Sequence, residues 1–287
     1  MSWAFRDFHN LERIDLNGSN WNWVNKASAM FQNDAQLNTV RDYSNISDTS
    51  DMFYGCSALQ TVTGLENANF YNVSTMKLMF YNTSLLQSVP VETWTVGKVT
   101  DTSYMFAGSG ITQAGGAPWK VTNMNNMFWG TPNLKYVDTN LWRIDKLASA
   151  EGMFKGSSIG KIDLSTWKPT QTGIDMSTMF SNTPNLRQVD MRGFTNLDNQ
   201  ITINILGTGQ AANPLMLIIQ EVAGNKYFGS YDFKTESGRI PVPMPNITTD
   251  NINIKLKDGS TQKSYISTIP VYTTTLEINK LDAWIKY

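Results

Sequence analysis

A Met-Phe dipeptide recurs along the first two thirds of the chain and organises its hydrophobic pattern. It occurs as Met30-Phe31, Met52-Phe53, Met79-Phe80, Met105-Phe106, Met127-Phe128, Met153-Phe154 and Met179-Phe180, and Phe5 marks a truncated first copy. The phenylalanines from Phe31 onwards follow one another at spacings of 22, 27, 26, 22, 26 and 26 residues. A period of roughly 20–29 residues is typical of leucine-rich repeats, whose units stack on one another.

Apolar residues precede each phenylalanine at a helical spacing. In one copy Val121, Met124 and Met127 stand seven, four and one residue before Phe128. These positions fall on one face of a helix, so we predict a short helical or 3₁₀ turn in every repeat. Two residues after the phenylalanine only Gly or Asn occurs, which predicts a left-handed residue that ends the turn: Asn33, Gly55, Asn82, Gly108, Gly130, Gly156 and Asn182.

An aliphatic pair spaced three residues apart follows each turn, as in Leu134 and Val137. We interpret the pair as a short strand, and stacked strands of this kind form one continuous parallel sheet. An aromatic column accompanies the pairs, and we expect it to fill the core of the stack: Trp94, Trp119, Trp142, Trp167 and Phe194. The fold class predicted for the repeat part of the chain is therefore an α/β leucine-rich-repeat solenoid with a parallel sheet and short helical turns.

The Met-Phe repeat ends before residue 200, and alternating apolar and polar positions replace it. Examples are the runs 201–206 and 252–256, and further strand candidates are 215–222, 227–233, 264–269 and 271–278. Short strands at regular spacing predict a small all-β sandwich. The stretch 231–244 is similar to the Ig-like or prealbumin-like modules of bacterial adhesins. We therefore divide the chain into a repeat domain, 1–196, and a sandwich, 197–287, that caps the stack or acts as a spacer.

Composition narrows the functional classes. Hydrophobic residues make up 41% of the chain, charged residues 16%, and the net charge is −1. No basic run supports nucleic-acid binding, and no apolar run is long enough to insert in a membrane. The sequence shows neither a signal peptide nor a wall anchor. One cysteine, Cys56, and one histidine, His9, exclude an internal disulfide, a Cys/His zinc site and any His-based triad not built on His9. We expect Cys56 to be structural and His9 to lie on the surface.

The repeat resembles the BspA-like leucine-rich-repeat surface proteins, which are frequent in lactobacilli and other gut and oral bacteria. The resemblance covers about residues 1–196 and is carried by a pattern seen at Trp119-Lys-Val-Thr-Asn-Met-Asn-Asn-Met-Phe-Trp-Gly130. It implies a right-handed curved solenoid, secretion, attachment to a Gram-positive cell wall, and adhesion to mucus, host matrix proteins or other cells. It supplies no catalytic residues.

Binding residues are expected at positions that the repeat leaves free. The slot directly after the Met-Phe dipeptide holds large aromatic residues at Tyr54, Tyr81 and Trp129, which we predict to be exposed and to stack on sugar rings or peptide side chains. Tyr136 occupies a free position between the strand aliphatics and is a further candidate. These residues are the predicted ligand-binding site.

A column of carboxylates offers a second chemistry. Asp138, Asp163 and Asp190 share one register in three consecutive repeats, where neighbouring strands lie about 4.8 Å apart. They are candidates for a Ca²⁺ site or for the acid and nucleophile of a retaining glycosidase. We favour the interpretation in which each aspartate hydrogen-bonds to the turn that ends its own strand and binds neither a metal nor a cofactor.

The sequence therefore predicts a non-catalytic, extracellular adhesion protein of the bacterial cell surface. Its expected partners are mucin glycans, host matrix or cell-surface proteins, or other cells. Two alternatives stay open: a passive stalk or self-associating aggregation factor, and a carbohydrate-active enzyme that uses Asp138, Asp163 and Asp190.

Overall fold

The computed structural model describes residues 2–15, 26–41, 48–67, 69–167 and 174–194, and five strands after them. Within the first group lie the short strands β1 (Arg13–Asp15), β2 (Thr39–Arg41), β3 (Thr61–Val62), β4 (Gln113–Gly115), β5 (Tyr136–Asp138), β6 (Lys161–Asp163) and β7 (Gln188–Asp190), with 3₁₀ helices at Leu65–Asn67 and Val91–Thr93. The later strands are β8 (Leu215–Val222), β9 (Asn225–Asp232), β10 (Ser237–Gly238), β11 (Asp250–Lys255) and β12 (Thr261–Ile266).

The Met-Phe segments form overlapping β-turns, so the predicted short helices are wrong. Around Phe106, the Met105 amide donates to the Thr102 carbonyl at 3.1 Å, and the Ala107 amide donates to the Tyr104 carbonyl at 3.2 Å. Tyr104 has a φ of 56°, in the left-handed region. A right-handed helix does not continue through such a residue, so the chain reverses from turn to turn although the same apolar positions are buried.

Each turn carries two left-handed residues, of which the sequence pattern revealed one. The predicted Gly or Asn two residues after the phenylalanine has a positive φ in every copy, which confirms that prediction. The residue two before the phenylalanine also has a positive φ, although it follows no compositional rule: Trp3, Ala29, Asp51, Leu78, Tyr104, Asn126, Gly152 and Thr178.

Because left-handed and right-handed residues alternate in each turn, the backbone amides point along the stack of repeats. Each phenylalanine amide, from Phe5 to Phe154, donates to the carbonyl of the methionine in the next Met-Phe dipeptide, at 2.9 Å in every case. The two left-handed residues of a turn also donate forwards; Tyr104 donates to the Asn125 carbonyl at 2.9 Å and Gly108 to the Trp129 carbonyl at 2.8 Å. We call this set of bonds the turn ladder. All of its bonds run in the same direction, from an amide of one repeat to a carbonyl of the next.

The phenylalanine rings stack inside the turn ladder. Neighbouring ring centroids from Phe5 to Phe180 lie 5.4–5.6 Å apart, with interplanar angles of at most 10°. From Phe31 onwards the rings and the preceding methionines are buried. The aromatic column opposite is buried as well, with Trp119 and Trp167 fully inaccessible, which confirms its predicted place in the core.

The strands pair in parallel between consecutive repeats, but the predicted continuous sheet is wrong. β1-β2-β3 form one sheet, β4-β5 another, and β6-β7 belong to a third, so the pairing stops both between β3 and β4 and between β5 and β6. No strand forms between β3 and β4 in the described chain, where Pro90 and the 3₁₀ helix Val91–Thr93 stand. Proline lacks the amide hydrogen that a sheet requires, so the sequence interrupts the sheet at this repeat.

The chain after residue 194 continues the last sheet. β8 pairs in parallel with β7, β9 pairs antiparallel with β8, and β10 pairs with β9. Phe180, the last ring of the stack, is fully buried. β8 therefore extends the last sheet by one parallel strand beyond the repeat strand β7.

Four of the predicted C-terminal strands overlap with β8, β9, β11 and β12, and β11 pairs with β12 as an antiparallel hairpin. The candidates 201–206 and 271–278 lie outside the described residues. The two-sheet sandwich and the domain division at 196 stay predictions.

The left-handed turn residues give a direct test. Gly156 has a φ of 69°, and a methyl group added there would come no closer than 3.7 Å to its nearest neighbours, whereas Gly160 has an ordinary φ. We expect Gly156→Ala to lower the free energy of unfolding by about 1–2 kcal/mol through backbone strain alone. Urea unfolding of Gly156→Ala beside the control Gly160→Ala measures it, and equal midpoints for the two variants would contradict the expectation.

Candidate functional site

Three of the predicted binding residues come together on the outer side of the turn ladder. The rings of Tyr54 and Tyr81 stack with centroids 4.8 Å apart and an interplanar angle of 11°. Trp129 lies two repeats further along, and a fourth ring bridges the distance: Tyr104 packs edge-to-face on Tyr81 at 6.5 Å and on Trp129 at 6.3 Å. We call Tyr54, Tyr81, Tyr104 and Trp129 the aromatic row.

Tyr104 is the member that sequence reasoning missed. The slot after the Met-Phe dipeptide in its repeat holds Ala107, whose small side chain is fully buried. Tyr104 stands two residues before the phenylalanine, has a left-handed backbone, and its ring contacts those of Tyr81 and Trp129 in the flanking repeats. An aromatic residue at this register was the available signal, but it has meaning only once the left-handed conformation there is known.

The aromatic row is open to solvent on its outer side. Trp129 is 39% exposed, and the three tyrosines are partly exposed. Burial, with smaller contributions from Tyr54 and Tyr104, raises the pKa of Tyr81. A tyrosine side chain is neutral at physiological pH, so the raised pKa leaves Tyr81 uncharged. The hydroxyl groups of the row donate and accept hydrogen bonds.

Tyr136 lies apart from the aromatic row. It is the first residue of β5 and is 56% exposed, on the strand side of the repeat. No ring contact joins it to the row in the described chain. It borders a different feature, a cleft beside the interruption of the sheet that it shares with Asp138.

The aspartate column is occupied by local hydrogen bonds. The Oδ1 atoms of Asp138, Asp163 and Asp190 accept the amide of the residue two positions later, at 3.0, 2.8 and 3.2 Å. Asp163 and Asp190 are register partners, and Asp138 is opposite Gly115. This is the turn-ending geometry that we favoured.

Asp190 carries an additional ion pair. The Arg192 guanidinium lies 2.8 Å from its Oδ2, and Asp190 is buried. Within the described ranges no group of three or more His, Cys, Asp or Glu side chains is placed to hold a metal ion. The Ca²⁺ site suggested by the sequence stays an untested prediction.

The Ser/Thr slot three residues after the phenylalanine contains two exceptions. Cys56 is fully buried, its thiol donates to the Phe31 carbonyl at 2.9 Å, and burial raises its pKa, so the sulfur is structural as predicted. Asp34 is also fully buried; its Oδ1 accepts the Phe8 amide at 2.7 Å, while its Oδ2 has no partner. His9 is exposed, also as predicted.

Burial at this slot shifts the pKa of the Asp34 carboxyl. Burial raises its pKa to about 7, the Phe8 amide lowers it, and Asp7 raises it further. A carboxylate with an unpartnered buried oxygen destabilises the folded chain when it is ionised.

No helix among the described residues is long and apolar enough to cross a lipid bilayer.

Comparison with known proteins identifies the repeat at the family level. The model of a family described as "Mycoplasma protein of unknown function, DUF285" matches residues 1–119 and 117–201. Among curated proteins, none matches. A leucine-rich repeat protein from Bacteroides ovatus ATCC 8483, known from a crystal structure, is similar at 15% identity with a TM-score of 0.32, and the match covers 58% of each chain. This chain therefore spans little more than half the length of that protein.

The position of Asp34 predicts a pH-dependent stability. Its ordinary pKa is 3.8 and its folded pKa about 7, so the neutral form stabilises the fold fully below about pH 4 and the contribution is lost as the pH rises through 7. We expect Asp34→Ser to raise the urea midpoint of unfolding more at pH 8 than at pH 4.5, by the equivalent of about 1–3 kcal/mol. Cys56→Ser, at the same slot of the next repeat, should give the same offset at both values. A pH-independent effect of Asp34→Ser would show that the carboxyl titrates normally.

Proposed function

Because this chain belongs to the family described as "Mycoplasma protein of unknown function, DUF285", we propose that it is a non-catalytic repeat protein of the bacterial cell surface that binds glycans through the aromatic row. In this proposal the repeats form a right-handed leucine-rich-repeat solenoid of the BspA type, exposed outside the cell. The family match supports the BspA-like resemblance of the sequence. The proposed role in adhesion to mucin or to host matrix is argued from the aromatic row.

The aromatic row is the observation that carries the proposal. Its rings stand in consecutive repeats at centroid separations of 4.8, 6.5 and 6.3 Å. Such a series of spacings is of the same order as the advance per sugar unit along an oligosaccharide. Tyr54 and Tyr81 cover one face of each other. In this proposal a bound sugar therefore contacts their ring edges and hydroxyl groups and the exposed part of the Trp129 ring.

The row is also independent of the requirements of the fold. The turn ladder fixes the backbone, and the phenylalanine rings fill the core, whatever side chain follows the dipeptide. The same slot holds Gln32 and Lys155 in other repeats, so aromatic residues there are not needed for stacking. Tyr54, Tyr81 and Trp129 are thus available for recognition.

The carbohydrate-active-enzyme alternative is less well supported. A retaining glycosidase needs one carboxylate as nucleophile and another as acid, both directed at the substrate. Each aspartate of the column instead accepts the amide of its own turn, and Asp190 is paired with Arg192. These bonds favour a structural role.

Binding to immobilised mucin, before and after periodate oxidation of its glycans, tests the proposal. We expect binding that periodate abolishes, and a loss of more than tenfold in affinity for Tyr81→Ala and for Tyr104→Ala, because each removes a ring that touches two neighbours. The matched control is Tyr71→Ala, a 53%-exposed tyrosine outside the row. Urea midpoints establish that all variants are folded.

Other outcomes separate the alternatives. Binding that survives periodate and needs the row points to a protein ligand. Equal binding by all variants refutes the row as the site. A complete lack of binding to mucin, matrix proteins and cells favours the stalk or self-association.

A further inference from the structure

A cleft of about 190 Å³ lies beside the interruption of the parallel sheet. It forms where Pro90 and the 3₁₀ helix Val91–Thr93 replace a strand, next to the edge of β4. Its walls include residues of three successive repeats: Val89, Glu92, Gln113, Ala114, Tyr136 and Asp138. The cleft is on the strand side of the repeat and shares no residue with the aromatic row.

Two consecutive glycines bring the acidic residues of the cleft to one turn. A Cβ atom on Gly115 would stand 2.5 Å from the Asp138 Cβ, and one on Gly116 would stand 2.5 Å from the Glu92 Cβ. Any larger residue at either position would therefore force these segments apart. Gly116 also has a φ of 82°, which favours glycine. The Gly-Gly step permits Glu92 and Asp138 to approach the same turn from the preceding and the following repeat.

The edge of β4 that faces the cleft is open. The backbone bonds to the preceding repeat are those of Gly110 to the Thr83 carbonyl and of Thr112 to the Gln87 carbonyl. Within the described chain, none continues from Gln113–Gly115 to that side. Backbone N–H and C=O groups on this side of β4 are therefore available to a bound group, as at any unpaired strand.

The lining is suited to a cation with an aliphatic stem. It contains two carboxylates, the Gln113 side chain and no Lys or Arg. The Tyr136 ring is 56% exposed, and Val89 and Ala114 provide a buried apolar floor. A carboxylate forms its strongest hydrogen bonds with an ammonium or guanidinium group, an aromatic face attracts the same cation, and an alkyl stem packs on apolar surface.

We propose that this cleft is a binding site for an alkyl-ammonium group, the end of a lysine side chain of a partner protein. In the complex the ammonium group lies between Glu92 and the Oδ2 atom of Asp138, whose Oδ1 keeps its bond from the Asn140 amide. It lies against the Tyr136 ring, and its methylene stem contacts Val89 and Ala114. Free diamines offer the same chemistry, so the test separates them from lysine. The proposal does not depend on glycan binding by the aromatic row.

Titration followed by NMR or calorimetry tests the site with three probes: Nα-acetyl-lysine methylamide, its Nε-acetylated form, and pentane-1,5-diamine. We expect the lysine probe to bind, its affinity to fall at least fivefold between 20 and 200 mM salt, and the uncharged Nε-acetylated probe to bind at least tenfold more weakly. Glu92→Gln should weaken the lysine probe at least tenfold. Glu92 is exposed, so this isosteric change leaves folding intact.

The control is Asp163→Asn, which preserves an acceptor for the Ser165 amide and lies one repeat beyond the cleft; it should leave binding of the lysine probe unchanged. Binding of the diamine alone, without the lysine probe, would overturn the assignment to a protein side chain. Equal affinities of wild type and Glu92→Gln, or no binding of any probe, would overturn the site itself. Loss of mucin binding in the aromatic-row variants has no bearing on either result.

Discussion

The turn ladder is the interaction on which the rest of this structure depends. Each phenylalanine amide donates to the methionine carbonyl of the next repeat at 2.9 Å, and left-handed residues on both sides of the dipeptide donate in the same direction. This geometry keeps every repeat at the same rise, so that the phenylalanine rings stack at 5.4–5.6 Å. Left-handed conformations cost about 1–2 kcal/mol for residues other than glycine. The bonds between repeats and the burial of the rings offset that cost.

The two surfaces that we propose for binding are consequences of the same constraint. On the turn side, the ladder fixes the backbone and leaves the side chain after the dipeptide free, and three of the four rings of the aromatic row occupy that slot. On the strand side, Pro90 breaks the sheet in one repeat, and the cleft opens where a hydrogen-bonded neighbour of β4 is missing. Both sites therefore occupy positions that repetition does not prescribe.

Much of the fold could be predicted from the sequence because the repeat is strict. The buried positions, the left-handed Gly/Asn slot and the aromatic core column followed from residue type. The turn conformation did not, because apolar positions at −4, −1 and 0 fit a helix and a series of β-turns equally well. Ala29, Leu78 and Thr178 carry no sign of the left-handed backbone that they adopt, since bonds to the next repeat impose it. The break in the sheet was not predicted either, although Pro90, which lacks an amide hydrogen, was its signal in the sequence.

The candidate site was predictable to the same extent. The slot after the dipeptide led to Tyr54, Tyr81 and Trp129, which the structure places in one row. Tyr104 was not predicted because it stands two residues before the phenylalanine, at the left-handed position that the sequence pattern did not reveal. Tyr136 was a further candidate because it occupies a free position between the strand aliphatics, and it lies on a strand beside the cleft, apart from the row. Its role thus depended on the place where the sheet stops, which repetition alone does not reveal.

Hydrogen-bond scalar couplings test the turn ladder most directly. In deuterated protein with ¹⁵N-labelled phenylalanine and ¹³C-carbonyl labels, an amide that donates to a carbonyl gives a measurable coupling across the bond. The turn ladder predicts a coupling from the Phe106 nitrogen to the Met127 carbonyl carbon, in the next repeat. A coupling from Phe106 to the Thr102 carbonyl carbon, four residues earlier in the same repeat, would show a helical turn and contradict it.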